Sequence, residues 1–451
     1  MRKLLGIHFY ICITNFDEII FDEETTTGEV NHSIHALDTF FSSIERFGKQ
    51  VSDSLVVEKI TGSRLHLFVI GDLLPTYEVV KTISDYANQL STFLNTNISK
   101  YKTLKPFKIN IGVAHGNFYD FEFEVKDYSE TTTIGYVANI AAKLQALSDP
   151  GNISITEEIF QRLPAEDKQI YRKILEPSIK KYDQDYYYTG NLLSIKSASV
   201  IKESEFEVVS DYANKLNLGD IEFSDIRAPL TFRNLSKKLC KRVYGIPVFA
   251  DVRAFTCQFY EDDSNLEEMA NKTQEILETM YCINTNHGGV HVQFQGDREL
   301  ALYHEIPAQT VNGIKIEKQH CYKAAVLAGM RMIDAVKPFS VHVGVGEDYG
   351  KVFATKIGAR GEKDNILLGK TLLKADRIED QHAGEDQIAI SIEVYKGLLL
   401  EDENLAKQFT KKGDVYISTV GFEDYKRYLS YKQLKDNNSK QNYNGAWGEL
   451  E

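Results

Sequence analysis

The sequence predicts an α/β protein made of two copies of one domain, and three observations point to this class. Short apolar strands alternate with amphipathic helices along the 451 residues. Several motifs occur twice in the same order. The landmarks of these motifs share one offset, since Gly62 and Gly296 are 234 residues apart, as are Gly135 and Gly369. A single offset across separate landmarks indicates a duplicated domain.

The predicted elements follow one order in each half. The hairpins "VVEKITGSRLHLFVI" and "VHVQFQGDRELALY" are two short strands around a glycine. The segments "KINIGVAHGNF" and "VHVGVGEDYGK" alternate apolar residues and end in glycines, which is typical of a strand and its turn. A glycine turn then leads into an amphipathic helix in "TTIGYVANIAAKLQAL" and "LLGKTLLKADRIEDQ". Another strand and helix follow in "PGNISITEEIFQRL" and "AGEDQIAISIEVYKGL".

These repeats set the predicted domain boundaries. We expect one domain at 1–190, a linker with a helix at 191–240, and a second domain at 241–425. Residues 426–451 carry little apolar content, so we expect a flexible tail. The opening "MRKLLGIHFYICIT" has the charge and apolar run of a signal peptide but lacks a small-x-small cleavage site, so it predicts a first strand.

Composition restricts the class of partner and the cellular setting. With 43% hydrophobic and 26% charged residues, the chain can bury a core, and no apolar run approaches the roughly 18 residues of a membrane helix. A net charge of -13 argues against nucleic acid or an anionic membrane as the main partner. Five scattered cysteines without a CxxC pair predict neither disulfides nor a zinc site. We therefore expect a cytoplasmic monomer.

One aspartate stands where an apolar residue is expected, and a second acid follows at a defined place further along the chain. Asp251 interrupts the strand "VFADVRAFTCQF", and Asp297 follows the hairpin glycine in "FQGDRELAL". A lone strand aspartate most simply marks a solvated strand end. Two of them at matched positions indicate ligands for a hard divalent cation, Mg²⁺ or Mn²⁺. The eleven histidines include one HxxH pair, His32 and His35, but no HExxH motif, and no histidine metal site is predicted.

This order of strand with aspartate, hairpin with Gly-Asp, and glycine turn leading into "VANIAAKL" resembles the catalytic domain of class III nucleotidyl cyclases. The resemblance covers most of the chain, in two copies. It implies a ferredoxin-like α+β fold and conversion of a nucleoside triphosphate to a 3′,5′-cyclic monophosphate and pyrophosphate. Since cyclase domains pair head to tail, it also implies two tandem domains that form an intramolecular pseudo-dimer.

The resemblance assigns the metal ligands to the second half. Asp251 and Asp297 match the aspartates that hold two ions in the family. The first half has Cys12 and Ser63 at these places, and a thiol and a hydroxyl do not hold magnesium as carboxylates do. The family pattern thus leaves one working site and one relic.

The resemblance assigns the nucleotide contacts to the first half. Asn139 matches the ribose-orienting asparagine, and Lys59 and Thr132 fall at the two base-contacting positions. Lys143 falls at the transition-state arginine, and this departure puts the rate in doubt because an ammonium grips one oxygen where a guanidinium grips two. The second half has other residues at the corresponding positions: Gln293, Ile366, Leu373 and Arg377.

Candidate ligands for the terminal phosphates also come from the family pattern. Lys180 or Lys181, in "EPSIKKYDQDYYY", falls where the family has a phosphate-binding lysine. Arg360, in "IGARGEKD", is a weaker candidate for the same task because its alignment can slip by one residue.

The base is the least determined feature. Guanine-specific cyclases carry glutamate and cysteine at the base positions, which argues against GTP, whereas adenine-specific members pair lysine with aspartate or, in some cases, threonine. The chain is similar to the pyrimidine cyclases of bacterial anti-phage (Pycsar) signalling in its divergence and in having no attached receptor domain. We therefore predict cyclisation of CTP or UTP, with a downstream cyclic-nucleotide effector protein as partner.

Two alternatives stay open, and a third is disfavoured. One is an adenylate cyclase acting on ATP, and another is a non-catalytic cyclase homology module that binds a nucleotide. A GGDEF-type synthase is disfavoured because neither half has a GGDEF-like turn at its hairpin.

Overall fold

The computed structural model describes residues 2–125, 128–176, 185–196, 201–253, 266–311, 314–358 and 364–445. These residues form two large sheets, one two-stranded ribbon and thirteen helices. They divide into two compact units. The first lies within Met1–Val243, Ala254–Gln274 and Lys351–Lys370, and the second within Tyr244–Arg253, Glu275–Gly350 and Thr371–Glu451.

The first sheet is built from the first half of the chain. Its strands are β1 (Arg2–Ile13), β2 (Leu55–Thr61), β3 (Arg64–Ile70), β4 (Ile109–Val125), β5 (Tyr128–Ile134), β6 (Asn152–Ile155), β7 (Tyr171–Leu175) and β8 (Tyr186–Asn191). Their order is β2-β3-β1-β4-β6-β8-β7, and β5 pairs with the far end of β4. The opening segment is thus a strand, β1, as predicted, and it pairs with β3 and β4.

The second sheet repeats this order. Its strands are β9 (Glu222–Asp225), β10 (Leu239–Arg253), β11 (Val290–Gln295), β12 (Arg298–His304), β15 (His342–Glu347), β16 (Gly350–Ile357), β17 (Asp364–Leu368), β18 (Gln387–Ser391), β19 (Thr410–Lys412) and β20 (Val415–Ser418), while β13 (Gln309–Val311) and β14 (Ile314–Ile316) form the ribbon. The order β11-β12-β10-β15-β18-β20-β19 matches the first sheet strand for strand. The matching orders confirm the predicted α/β class and the internal repeat.

The helices lie between the strands. Those of the first half and the connector are α1 (Phe16–Thr27), α2 (Asn31–Val51), α3 (Leu73–Asn97), α4 (Tyr136–Leu147), α5 (Glu157–Arg162), α6 (Ala165–Lys168) and α7 (Glu203–Lys215). Those that follow are α8 (Leu266–Asn286), α9 (Tyr322–Val336), α10 (Lys370–His382), α11 (Ile392–Glu401), α12 (Glu403–Ala406) and α13 (Phe422–Gly445). None of the helices in the described part of the chain is long and apolar enough to cross a lipid bilayer.

Alternation along β1 separates the two faces of the first sheet. Ile7, Phe9 and Ile11 are fully buried on one face. The other face carries α4, because a core cluster joins α4 to Phe68 and Phe118, and His8 lies against the Phe118 ring. The face of the sheet that carries α4 therefore also holds His8 and the polar residues described with it below.

The structure describes much of the predicted linker and tail. The predicted linker contains α7, as expected, but it is packed within the first unit, where Tyr212 donates a hydrogen bond to Asp38 at 2.8 Å. In the segment predicted as a tail, residues 426–445 continue α13. Lysine, leucine and glutamine favour a helix there, with no proline to end it, and the buried Tyr425 anchors its first turns. Residues 446–451 lie outside the described residues, and the domain boundaries themselves stay a prediction.

Candidate functional site

Asp251 and Asp297 are brought together by one hairpin and its neighbouring strand. Gly296 and Asp297 form the turn between β11 and β12, and Gly296 has a φ of 73°, a left-handed conformation that glycine adopts at low cost. Asp251, on β10, lies directly opposite Arg298, the residue after the turn. Asp297 therefore lies beside Asp251.

The two carboxyl groups repel each other. Burial raises the pKa of Asp297 well above its usual range, and the nearby charge of Asp251 raises it further. Burial also raises the pKa of Asp251, against the opposing effect of the Arg298 and Arg253 guanidinium groups. Two adjacent, half-buried carboxylates that disfavour each other's charge form an oxygen donor set that fits hard divalent cations.

Two arginines and one glutamate surround this pair. Arg253 donates to Asp251 Oδ2 at 2.9 Å and pairs with Glu379 of α10. Arg298 pairs with Glu379 at 2.6 Å and with Asp376 at 2.6 Å. The sequence analysis missed Glu379, which is 3% exposed, because nothing in its helical pattern distinguishes an inward-facing acid from a solvated one.

The first half has the same geometry with neutral groups. Cys12 lies opposite Arg64 on β3, as Asp251 lies opposite Arg298, and Gly62 with Ser63 forms the hairpin turn. The Cys12 sulfur is 3.7 Å from the Ser63 hydroxyl oxygen. Burial raises the pKa of Cys12, which keeps the thiol protonated. This pair carries no charge to attract a hard cation.

Lys59 directly follows a bulge in the first hairpin. The β2–β3 register shifts between Val57 and Lys59, and the β11–β12 register shifts between His291 and Gln293, so Lys59 and Gln293 are structural equivalents. Lys59 is 5% exposed and forms an ion pair with Glu130 of β5. Burial lowers the pKa of Lys59, although nearby carboxylates oppose this shift.

Thr132 lies close to Lys59 because it is hydrogen-bonded to Glu58, the residue that precedes Lys59 in the chain. Its hydroxyl donates to Glu58 at 3.1 Å. Glu58 also accepts from the backbone N–H and the hydroxyl of Thr133, at 3.0 and 2.6 Å. The two residues predicted to contact the base are therefore brought to one polar region of the first unit.

A relay of histidines continues from Glu58. His66 Nδ1 is 2.8 Å from Glu58, and His66 Nε2 is 2.9 Å from His8 Nδ1. Because Glu58 accepts from Nδ1, a neutral His66 has its lone pair on Nε2, and His8 donates to it. Burial lowers the pKa of His8 to about 3, so His8 is neutral at pH 7.

His8, Glu58 and His66 were missed by the sequence analysis. Their potential ligand atoms lie within 4.8 Å of one another, although the three residues form no sequence motif. The residues come from three strands, so no sequence spacing reveals them. The carboxylate of Glu58 already accepts several hydrogen bonds. We therefore interpret the three residues as a hydrogen-bonded network that orients Thr132.

Asn139 and Lys143 lie on α4, four residues apart and hence on one face of the helix. Both side chains are half-buried. The register of β4 with β5 pairs Phe121 with Thr132, and β16 with β17 pairs Thr355 with Ile366, so the 234-residue offset holds in the structure. Lys180, Lys181 and Arg360 lie outside the described residues.

Comparisons with known proteins agree with this architecture. No family model matches the chain. The chain is 21% identical over 402 residues to a uridylate cyclase of Pseudomonas aeruginosa, covering 82% of this chain and 74% of that protein. A crystal structure of a class III adenylyl cyclase-like ATP-binding protein from Pseudomonas aeruginosa covers 95% of this chain and 90% of that one, with 15% identity and a TM-score of 0.65. The chain therefore has the fold of a class III adenylyl cyclase-like protein, in two copies, and is similar over most of its length to a uridylate cyclase.

Proposed function

We propose that this protein converts UTP to 3′,5′-cyclic UMP and pyrophosphate. The observation that carries the proposal is the asymmetry of two equivalent hairpins. One places Asp297 beside Asp251, and the other places Ser63 beside Cys12. The preference for uracil takes support from the curated relative, which is a uridylate cyclase.

In this reaction the ribose 3′-oxygen attacks the α-phosphorus and pyrophosphate leaves. Asp251 and Asp297 would hold two Mg²⁺ or Mn²⁺ ions. When bound, such ions lower the pKa of the hydroxyl and neutralise charge on the triphosphate. The two carboxylates supply the negative charge that keeps the ions in place.

Asn139 and Lys143 would act on the sugar and the reacting phosphate. The Asn139 amide would hold the ribose so that its 3′-oxygen faces phosphorus, which is a positioning effect. The Lys143 ammonium would stabilise the charge that develops on the α-phosphoryl oxygens. Lys180, Lys181 and Arg360 are proposed to bind the terminal phosphates.

Thr132 would accept a hydrogen bond from the base. Since its hydroxyl proton is directed to Glu58, its oxygen offers lone pairs to a donor. The N3–H of uracil and the amino group of cytosine are such donors, which fits a pyrimidine. We propose Lys59 as the second base contact, facing a carbonyl oxygen, once its pairing with Glu130 loosens.

ATP is the second candidate substrate. The adenine amino group is also a donor for Thr132, and lysine with threonine occurs in some adenine-specific cyclases. A module that binds nucleotide without turnover is less well supported, because such a module does not require both aspartates. In the cell, we propose that the cyclic product acts on an effector protein in anti-phage signalling.

The test is product identification. Purified protein is incubated separately with UTP, CTP, ATP and GTP plus Mn²⁺, and the products are identified by chromatography and mass. We expect cyclic UMP as the main product. Cyclic AMP as the main product would overturn the base assignment, and nucleotide binding without any cyclic product would support the binding module.

A further inference from the structure

The half of the chain that carries Asp251 and Asp297 contains a charged cluster that the sequence resemblance does not explain. Glu379, in the last turns of α10, is almost completely buried and pairs with both Arg253 and Arg298. Each arginine is tied to one candidate metal ligand. Arg253 donates to Asp251, and Arg298 directly follows Asp297.

Arg253 is held at several points. Its guanidinium also donates to the backbone carbonyls of Glu379 at 3.0 Å and Ala383 at 2.5 Å, at the carboxyl end of α10. The space it occupies exists because residue 344 is glycine: a Cβ there would lie 2.2 Å from a guanidinium nitrogen. Arg298 is held in turn by Asp376 and by the Phe249 ring, whose centre is 4.1 Å from its Cζ.

The equivalent place in the first half uses neutral groups. Asn110, which is equivalent to Gly344, donates to the carbonyls of Gln145 at 2.9 Å and Ser148 at 2.5 Å at the carboxyl end of α4. Gln145, which is equivalent to Glu379, donates back to Asn110 at 2.9 Å. A helix end can thus be fixed to the strand by amides alone. The charged version occurs in the half that carries Asp251 and Asp297.

We propose that Glu379 is a positioning residue of the metal centre, which restrains Arg253 and Arg298 so that they support the two aspartates without displacing the cations. A guanidinium can take both oxygens of a carboxylate. In this cluster Arg253 takes one oxygen of Asp251, while its other terminal nitrogen is held by α10. Without the Glu379 charge, both guanidiniums would be free to pair with the aspartates and compete with the metal.

The inference rests on the proposed function in one respect, namely that Asp251 and Asp297 bind cations. Its test is therefore Mn²⁺ binding, measured by the electron paramagnetic resonance signal of free Mn²⁺. The measurement uses the full chain with Mn²⁺ alone, and then with 3′-deoxy-UTP, which lacks the attacking hydroxyl.

Glu379→Gln keeps the shape of the side chain and removes its charge. We expect about 10- to 100-fold weaker Mn²⁺ binding, the usual effect of changing a group that orients a metal ligand. Activity should need more Mn²⁺, while the KM for nucleotide at saturating Mn²⁺ stays close to that of the wild type. Gln145→Met, at the equivalent place in the first half, is the matched control and should leave Mn²⁺ affinity unchanged.

The outcomes separate the two proposals. The metal assignment itself fails if the wild type binds no Mn²⁺, or if Asp297→Asn binds Mn²⁺ as the wild type does. If Asp297→Asn abolishes binding but Glu379→Gln binds Mn²⁺ like the wild type, the metal assignment holds and the role of Glu379 is overturned. A loss of thermal stability in Glu379→Gln with unchanged Mn²⁺ affinity also overturns it, since that result describes a purely structural residue.

Discussion

At the scale of single residues, charge distinguishes the two hairpins. Asp297 and Ser63 occupy equivalent turn positions after a left-handed glycine, and Asp251 and Cys12 occupy equivalent strand positions. The backbone requires none of these four side chains. We therefore propose that function, rather than folding, determines their identity.

The Lys143 ammonium gives a first prediction at this scale. Lys143→Ala should lower kcat by about 100-fold, the order expected for one group that stabilises transition-state charge. The control is Arg377→Ala, since Arg377 is exposed on α10 at the equivalent position and is expected to have no catalytic role. Steady-state kinetics at saturating Mn²⁺ measure both. Equal losses in the two variants would show that the halves have been assigned wrongly.

Glu347 gives a prediction about stability. This carboxyl group is fully buried, and neither oxygen has a hydrogen-bond partner among the described residues. Burial raises its pKa from 4.5 to about 8. The folded state therefore holds its proton more tightly than the unfolded state, so its contribution to stability is complete below pH 4.5 and is lost as the pH rises to about 8.

Glu347→Gln should remove this dependence. Relative to the wild type, the variant should gain thermal stability between pH 6 and pH 8.5, measured by calorimetry on the two proteins. Glu385→Gln changes an exposed glutamate and serves as the control. A constant difference in melting temperature between Glu347→Gln and the wild type across this range would contradict the assignment.

At the scale of elements, glycines set the approach of α4 to β4. A Cβ on Gly112 would lie 2.2 Å from the Ala141 carbonyl oxygen and from the Gln145 nitrogen. Gly112→Ala must push the helix away, and we expect a loss of about 1–3 kcal/mol in the free energy of unfolding, as for other overpacked sites. Denaturant titration measures this change.

Gly116, on the same strand, provides the control. Its added Cβ would be 3.6 Å from Val137, which is ordinary contact. Gly116→Ala should therefore change stability by no more than about 0.5 kcal/mol. A larger loss for Gly116→Ala than for Gly112→Ala would show that the helix–strand contact is not set by this glycine.

Sequence periodicity predicted the elements well because the pattern of each element occurs twice, once in each half of the chain. The hairpin of residues 55–70, the strand from Ile109 and the helix from Tyr136 all formed where their patterns placed them. The helix α13 was not predicted because its sequence is largely polar, and the buried Tyr425 alone gives little periodic signal. The relay of His8, His66 and Glu58 could not be predicted because tertiary pairing alone brings its members together.

At the scale of the whole molecule, the fold is duplicated, and we propose that its two copies have specialised. The two sheets share their strand order, their hairpin bulges and the 234-residue register. Cations are assigned to one copy and nucleotide contacts to the other. A prediction follows for the relic pair, because Cys12 and Ser63 should tolerate replacement without loss of turnover.

The most direct measurement compares cyclic product formation by the wild type, Asp297→Asn and Ser63→Ala, under identical Mn²⁺ and UTP, with circular dichroism confirming that each is folded. These two substitutions alter equivalent turn positions in the two hairpins. We expect cyclic UMP from the wild type and Ser63→Ala, and none above background from Asp297→Asn. Undiminished product from folded Asp297→Asn, or its loss in folded Ser63→Ala, would contradict the assignment of one metal-binding copy.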